Sequence, residues 1–135
     1  MTSRDEGMRA LRLYDFLNLT ATAVDEAEYG RFAFADLTWA EAAAAADSMT
    51  GPARDAAEVI LAATGPAAAP HGRADLWNAL DAAATAVLAL TGGQRELASV
   101  VMPDALAATD ALDHDLQMAV LTLLAEARDM AGASA

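Results

Sequence analysis

The stretch DHDLQMAVLTLLAEARDM, residues 113–130, carries the clearest helical pattern in the sequence. Its apolar residues recur at alternating steps of four and three positions: Leu116, Val120, Leu123, Ala127 and Met130. The residues expected to face solvent follow a similar spacing: Asp115, Ala119, Thr122, Glu126 and Asp129. Because an α-helix completes a turn about every 3.6 residues, this spacing predicts an amphipathic helix with one buried side.

Comparable spacing predicts further helices throughout the rest of the chain. Their expected ranges are 4–28, 39–49, 52–64, 73–90, 94–102 and 104–112. Ser3 with Glu6 and Thr38 with Glu41 read as capping boxes, in which each side chain bonds a free backbone N–H of a first helical turn. These pairs therefore predict helix starts at Ser3 and Thr38.

Only one segment, RFAFADL at residues 31–37, alternates like a strand. A segment of this length forms no sheet by itself, so we expect a connection or a short helical turn. GPAAAPHG at residues 65–72 is predicted to be a loop. The fold class that follows is all-α: a single domain over residues 1–135, forming an Ala-rich orthogonal or up-down bundle of about six to seven helices.

The charge of the chain restricts its partners. The 135 residues include 20 Asp and Glu against 8 Arg, with no Lys and no Cys, for a net charge of −12. Binding to nucleic acid or to anionic lipid depends on basic side chains, so we expect neither nucleic acid nor a membrane as a partner. Because the acidic residues are spread evenly along the chain, an acidic mimic of nucleic acid is a weaker hypothesis.

Composition also suggests where the protein works. The longest run without a charged residue, 59–72, is too short for a transmembrane helix and contains Pro66 and Pro70. The first residues, MTSRDEGMR, lack the apolar segment of a secretory signal. Abundant Ala and Arg in the absence of Lys are typical of a high-GC bacterial genome, so we expect a bacterial cytoplasmic protein.

Candidate catalytic residues occur in DALDHDLQM, residues 110–118. If one helix continues through this segment, Asp110 and His114 lie on one side of it, with Asp115 beside the imidazole. A carboxylate next to a histidine raises the imidazole pKa and fixes its tautomer, as a general base requires. The alternative is structural: His114 begins the last helix, and Asp113 is its N-cap.

A second candidate site is an apolar pocket between helices. Trp39, Trp77 and Tyr14 would line it, and Arg12 would hold an anionic group of a ligand. The alternative is that these aromatic side chains fill a core otherwise made of small residues.

The first and last predicted helices carry more apolar residues than one buried side needs. Leu11 and Phe16 on the first helix, with Leu121 and Leu124 on the last, are therefore candidates for an interface with a second copy or with another protein.

Association with another protein is consequently the function that the sequence favours, in an adaptor, an accessory subunit or a homodimeric regulator. A small helical enzyme or small-molecule-binding protein using His114 with Asp110 or Asp115 is the alternative. No metal-binding or cofactor-binding motif occurs, so we expect neither a metal nor a cofactor.

Overall fold

A computed structural model describes residues 3–65 and 74–133, and the side chains of residues 7–65 and 74–132. Within these residues the chain forms α-helices and no strand, which confirms the all-α prediction. The helices are α1 (Ser3–Glu28), α2 (Phe32–Ala46), α3 (Gly51–Thr64), α4 (Ala74–Thr91), α5 (Arg95–Thr109) and α6 (His114–Ala133). The Ser3–Glu6 capping box and residues 66–72 of the predicted loop lie outside the described side chains and residues.

The helices form two layers. α2, α1, α4 and α5 lie side by side in that order, so that α1 contacts both α2 and α4. α3 and α6 form the second layer, packed on each other. α6 also lies against α4, and α3 contacts α1 and α2. The central place of α1 explains why its apolar surface is wider than that of a peripheral helix.

A single hydrophobic cluster draws residues from all six helices. Its bulky, fully buried members are Phe16, Leu17, Ile60, Leu80 and Leu123. Alanines with no exposed surface fill much of the space between them: Ala42, Ala57, Ala79, Ala83, Ala86, Ala105 and Ala127. Since small side chains let helix backbones approach closely, these alanines set the distance between the packed helices.

The helix over RFAFADL corrects the prediction that these residues form a connection or a short helical turn. Gly30, at φ 76, reverses the chain in the left-handed region that favours glycine, and α2 begins immediately afterwards at Phe32. Residues 32–37 then lie along α1, with Ala35 buried. Packing against α1 therefore stabilises a helix where local alternation suggested none. Thr38 is inside α2, where its hydroxyl donates to Glu26 Oε1 at 2.6 Å, so the predicted cap at Thr38 is wrong.

α5 corrects a second expectation, because it runs through Pro103 as one helix instead of ending at Met102. A proline inside a helix removes the hydrogen bond to the carbonyl four residues earlier, here that of Ser99. Ser99 and Pro103 are both exposed, so the unpaired carbonyl lies on the solvent side of the helix, where water can satisfy it.

On α6, three of the five residues expected to face solvent are buried or half-buried. Ala119 is 4% exposed, although it was expected to face solvent. α6 packs against α3 as well as against α4, which widens its buried arc, and Thr122 and Glu126 are half-buried for the same reason. The other boundaries agree with the sequence: Pro52 lies in the first turn of α3, and Gly92-Gly93 follow the end of α4.

Candidate functional site

The helix does not continue through residues 110–113, so Asp110 and His114 are not one turn apart on a common helix. α5 ends at Thr109, and His114 is the first residue of α6. Asp110 Oδ1 accepts a hydrogen bond from Gln117 Nε2 at 3.2 Å, which ties the turn to α6. His114 is exposed and forms no hydrogen bond or ion pair with the described part of the chain. The structural alternative, in which Asp113 precedes the first turn of the last helix, agrees with this geometry.

Asp115 faces a different surface from Asp110. It lines a shallow groove of about 350 Å³ between α3 and α6, together with Asp55. His114 does not line this groove. Across the described residues, no three His, Asp or Glu side chains form a group that could hold a metal ion. Within the described residues, no hydrogen bond or ion pair joins His114 to Asp110 or Asp115.

The exposed position of His114 leads to a stability prediction. Replacing an exposed residue that has no partner changes the free energy of unfolding by less than about 0.5 kcal/mol. We therefore expect His114→Gln to unfold at the same urea concentration as the parent chain, measured by circular dichroism at 222 nm. A loss above about 1 kcal/mol would mean that the imidazole has a structural partner.

Three buried hydroxyl groups are accounted for by the helices themselves. Thr20, Thr64 and Thr109 each donate to the carbonyl four residues earlier, at 3.0, 2.8 and 2.6 Å. No buried side-chain N or O atom lacks a hydrogen-bond partner within the described residues. None of these threonines is therefore a free nucleophile or an unfilled ligand contact.

Within the described residues, the aromatic candidates have different surroundings. Trp39 is half-buried and its indole Nε1 donates to the carbonyl of Leu61 at 3.0 Å, which joins α2 to the last turn of α3. Tyr14 packs against the hydrophobic core, and Trp77 is 38% exposed on α4. Arg12 lies apart from them, in the groove described next.

A groove of about 490 Å³ lies between α1, α6 and the turn that joins α2 to α3. We call it the α1–α6 groove. Its apolar lining includes Met8 and Leu13 from α1, Met49 from the turn and Met130 from α6. Arg12 was a candidate from the sequence. These residues were not expected to share a groove with it, because they are far apart along the chain.

Among the described side chains, the charged residues that line the α1–α6 groove are two arginines and one glutamate. Arg9 forms an ion pair with Glu126, across from α1 to α6. Arg12 is half-buried and has no ion pair among the side chains that the structure describes. Since two guanidinium groups face one carboxylate, the groove carries one net positive charge in a chain whose net charge is −12.

Protein-family models, curated proteins and solved structures offer no match to this chain. None of the described helices combines the length and the apolarity that crossing a membrane requires.

The four predicted interface residues do not share a surface. Leu11 is 53% exposed, and Leu121 is half-buried. Phe16 and Leu124 are 0% and 3% exposed in the hydrophobic core, so neither is available to a partner in this fold. The central position of α1 buries Phe16, and the wide buried arc of α6 buries Leu124.

Exposed apolar side chains also lie along one side of α2. We call it the α2 outer face: Ala33, Phe34, Leu37, Ala40 and Ala44, all exposed. Phe34 and Leu37 are 62% and 64% exposed, although both are large apolar residues. The opposite side of α2, with Ala35, Ala42 and Ala46, is buried. The alternating pattern over residues 31–37 did not predict a long helix there, so the outer face of α2 was not among the candidate surfaces.

Proposed function

We propose that the protein is an adaptor or accessory subunit that binds another protein through the α2 outer face. The observation that carries this proposal is the exposure of Phe34 and Leu37 on a helix whose other side is buried. Small Ala residues at 33, 40 and 44 complete the face and allow a partner helix to approach closely. An amphipathic helix lying on such a surface is a common form of peptide recognition.

The charge around the α2 outer face favours a basic partner over a second copy of this chain. Asp36 is exposed at one edge of the face and Glu41 is exposed within it, one turn after Leu37, and they are the only charged residues of α2. In a dimer of identical chains, these carboxylates would add to the repulsion between two molecules of net charge −12. A partner helix with an apolar stripe flanked by Lys or Arg would instead pair with them.

The proposal is tested with a synthetic helical peptide that carries leucines at i, i+3, i+4 and i+7, flanked by lysines. We expect Leu37→Ser to weaken binding of this peptide at least about tenfold, because burying one leucine contributes about 1.5–3 kcal/mol. Leu88→Ser is the matched control, since Leu88 is 52% exposed on α4 and should leave the affinity unchanged. Isothermal titration calorimetry gives both dissociation constants.

Two results would contradict the proposal. One is equal peptide affinity for Leu37→Ser and Leu88→Ser, which would place binding on another surface. The other is a stable homodimer in sedimentation velocity that Leu37→Ser converts to a monomer, which would assign the α2 outer face to a second copy.

A peptide with Glu in place of Lys should bind more weakly, and raising the salt concentration should reduce that difference in affinity.

A further inference from the structure

We propose that the α1–α6 groove is a binding site for a small amphipathic anion, a single carboxylate on an apolar chain. Its volume of about 490 Å³ is in the range of small-molecule sites in proteins. None of its lining residues belongs to the α2 outer face, so this inference does not depend on the proposed partner.

Arg12 is the group that would bind the carboxylate. Its guanidinium is half-buried, and no described carboxylate pairs with it, whereas the neighbouring Arg9 is held by Glu126. A guanidinium presents a planar set of N–H donors that matches the two oxygens of a carboxylate. Partial burial strengthens such a contact, because the local dielectric constant is lower than that of water.

The charge of the groove favours a ligand with one negative charge. Arg9 and Arg12 against Glu126 leave one net positive charge in the groove. A second negative charge on the ligand would have no free guanidinium to pair with and would be repelled by Glu126. A monocarboxylate therefore fits this groove better than a phosphate dianion does.

The apolar part of the ligand would lie against methionines from three different elements. Met8 belongs to α1, Met49 to the turn before α3, and Met130 to α6. Methionine side chains are unbranched and polarisable, so they adapt to an alkyl chain of variable shape.

Thr50 adds a hydrogen-bond donor to the groove. It lies immediately before α3, lines the groove, and forms no capping hydrogen bond through its side chain. Its hydroxyl is therefore available to a carboxylate held by Arg12. The groove thus combines a cation, a donor and an apolar wall on three separate elements.

The methionines provide the test. With the full chain labelled at the methionine methyl carbons with ¹³C, decanoate is titrated below its micelle concentration. We expect the signals of Met8, Met49 and Met130 to move together with one dissociation constant. Met118 lines a different groove together with Asp55 and Asp115, so its signal should stay in place. Equal movement of the Met118 signal, or no movement at all, would overturn the assignment.

Substitution of Arg12 tests the charge. We expect Arg12→Gln to weaken decanoate binding about tenfold, and Arg12→Lys to restore most of it. Arg31→Gln is the matched control, because Arg31 is exposed directly before α2, does not line the α1–α6 groove and should leave the affinity unchanged. Neutral decanol should bind Arg12→Gln and the parent chain alike. If Arg12→Gln binds decanoate as tightly as the parent chain does, the proposed role of the guanidinium is wrong.

Discussion

Phe16→Ala is expected to destabilise the protein by about 3–5 kcal/mol, the typical cost of removing a buried aromatic ring. Phe16 has no exposed surface and lies in the cluster to which all six helices contribute. α1 is packed between α2 and α4, so the surrounding helices can close the resulting cavity only partly. Urea unfolding followed by circular dichroism measures the loss.

Phe32→Ala is the matched control for this prediction. Phe32 is the same residue type but is 58% exposed, so its removal should change the free energy of unfolding by less than about 0.5 kcal/mol. The comparison also separates two interpretations of Phe16. If Phe16 belonged to an interface between molecules, Phe16→Ala would change the association state and leave the stability of the monomer nearly intact.

Ala83→Leu should destabilise the fold by about 1–3 kcal/mol, because the larger side chain has no room in a packed core. Ala83 is 0% exposed on α4, which contacts α1, α5 and α6. Leucine is a good helix former, so a loss of stability would come from packing and not from helix propensity. The midpoint of urea unfolding gives the effect.

Ala107→Leu is the control, since Ala107 is exposed on α5. We expect it to leave the midpoint within the range of ordinary surface substitutions. A similar loss at both positions would show that leucine is unfavourable for another reason than packing. No loss at Ala83 would show that the helices are spaced more widely than the buried alanines require.

The two proposed surfaces place different demands on the molecule. The α2 outer face is apolar and carries the exposed carboxylates of Asp36 and Glu41, which suits a basic protein partner. The α1–α6 groove contains Arg12, which pairs with no described carboxylate, and this suits a small anion. Because the two surfaces share no residue, Leu37→Ser should leave decanoate binding unchanged, and Arg12→Gln should leave peptide binding unchanged.

Residue spacing over 110–115 did not show whether Asp110 and His114 lie on one side of a helix. Asp110 and His114 share one side of a helix only if the helix is continuous, and the turn between α5 and α6 separates them. The same segment satisfied two interpretations, because aspartates beside a histidine occur both in catalytic sites and at helix starts. Only the position of the turn distinguishes them.

The all-α class could be predicted from the sequence. So could the helices in which apolar and polar positions differ most clearly. α4 shows this best: Leu76, Leu80 and Val87 recur at helical spacing and are buried, and Asp75 and Asp81 are exposed. Proline and glycine at helix ends also agree with the structure, because they restrict or permit particular backbone conformations. Proline fits the first turn of a helix, and Gly93, at φ 73, adopts the left-handed conformation directly after α4.

Which side of an alanine-rich helix is buried follows only from packing in the tertiary structure. Alanines occupy both sides of α2, so hydropathy does not distinguish the two sides. Packing against α1 buries Ala35 and Ala42 and leaves Ala40 exposed. It also brought Arg12, Met49 and Met130 to one groove from distant parts of the chain. Sequence spacing describes neighbours on one helix, whereas contacts between helices depend on how all six pack together.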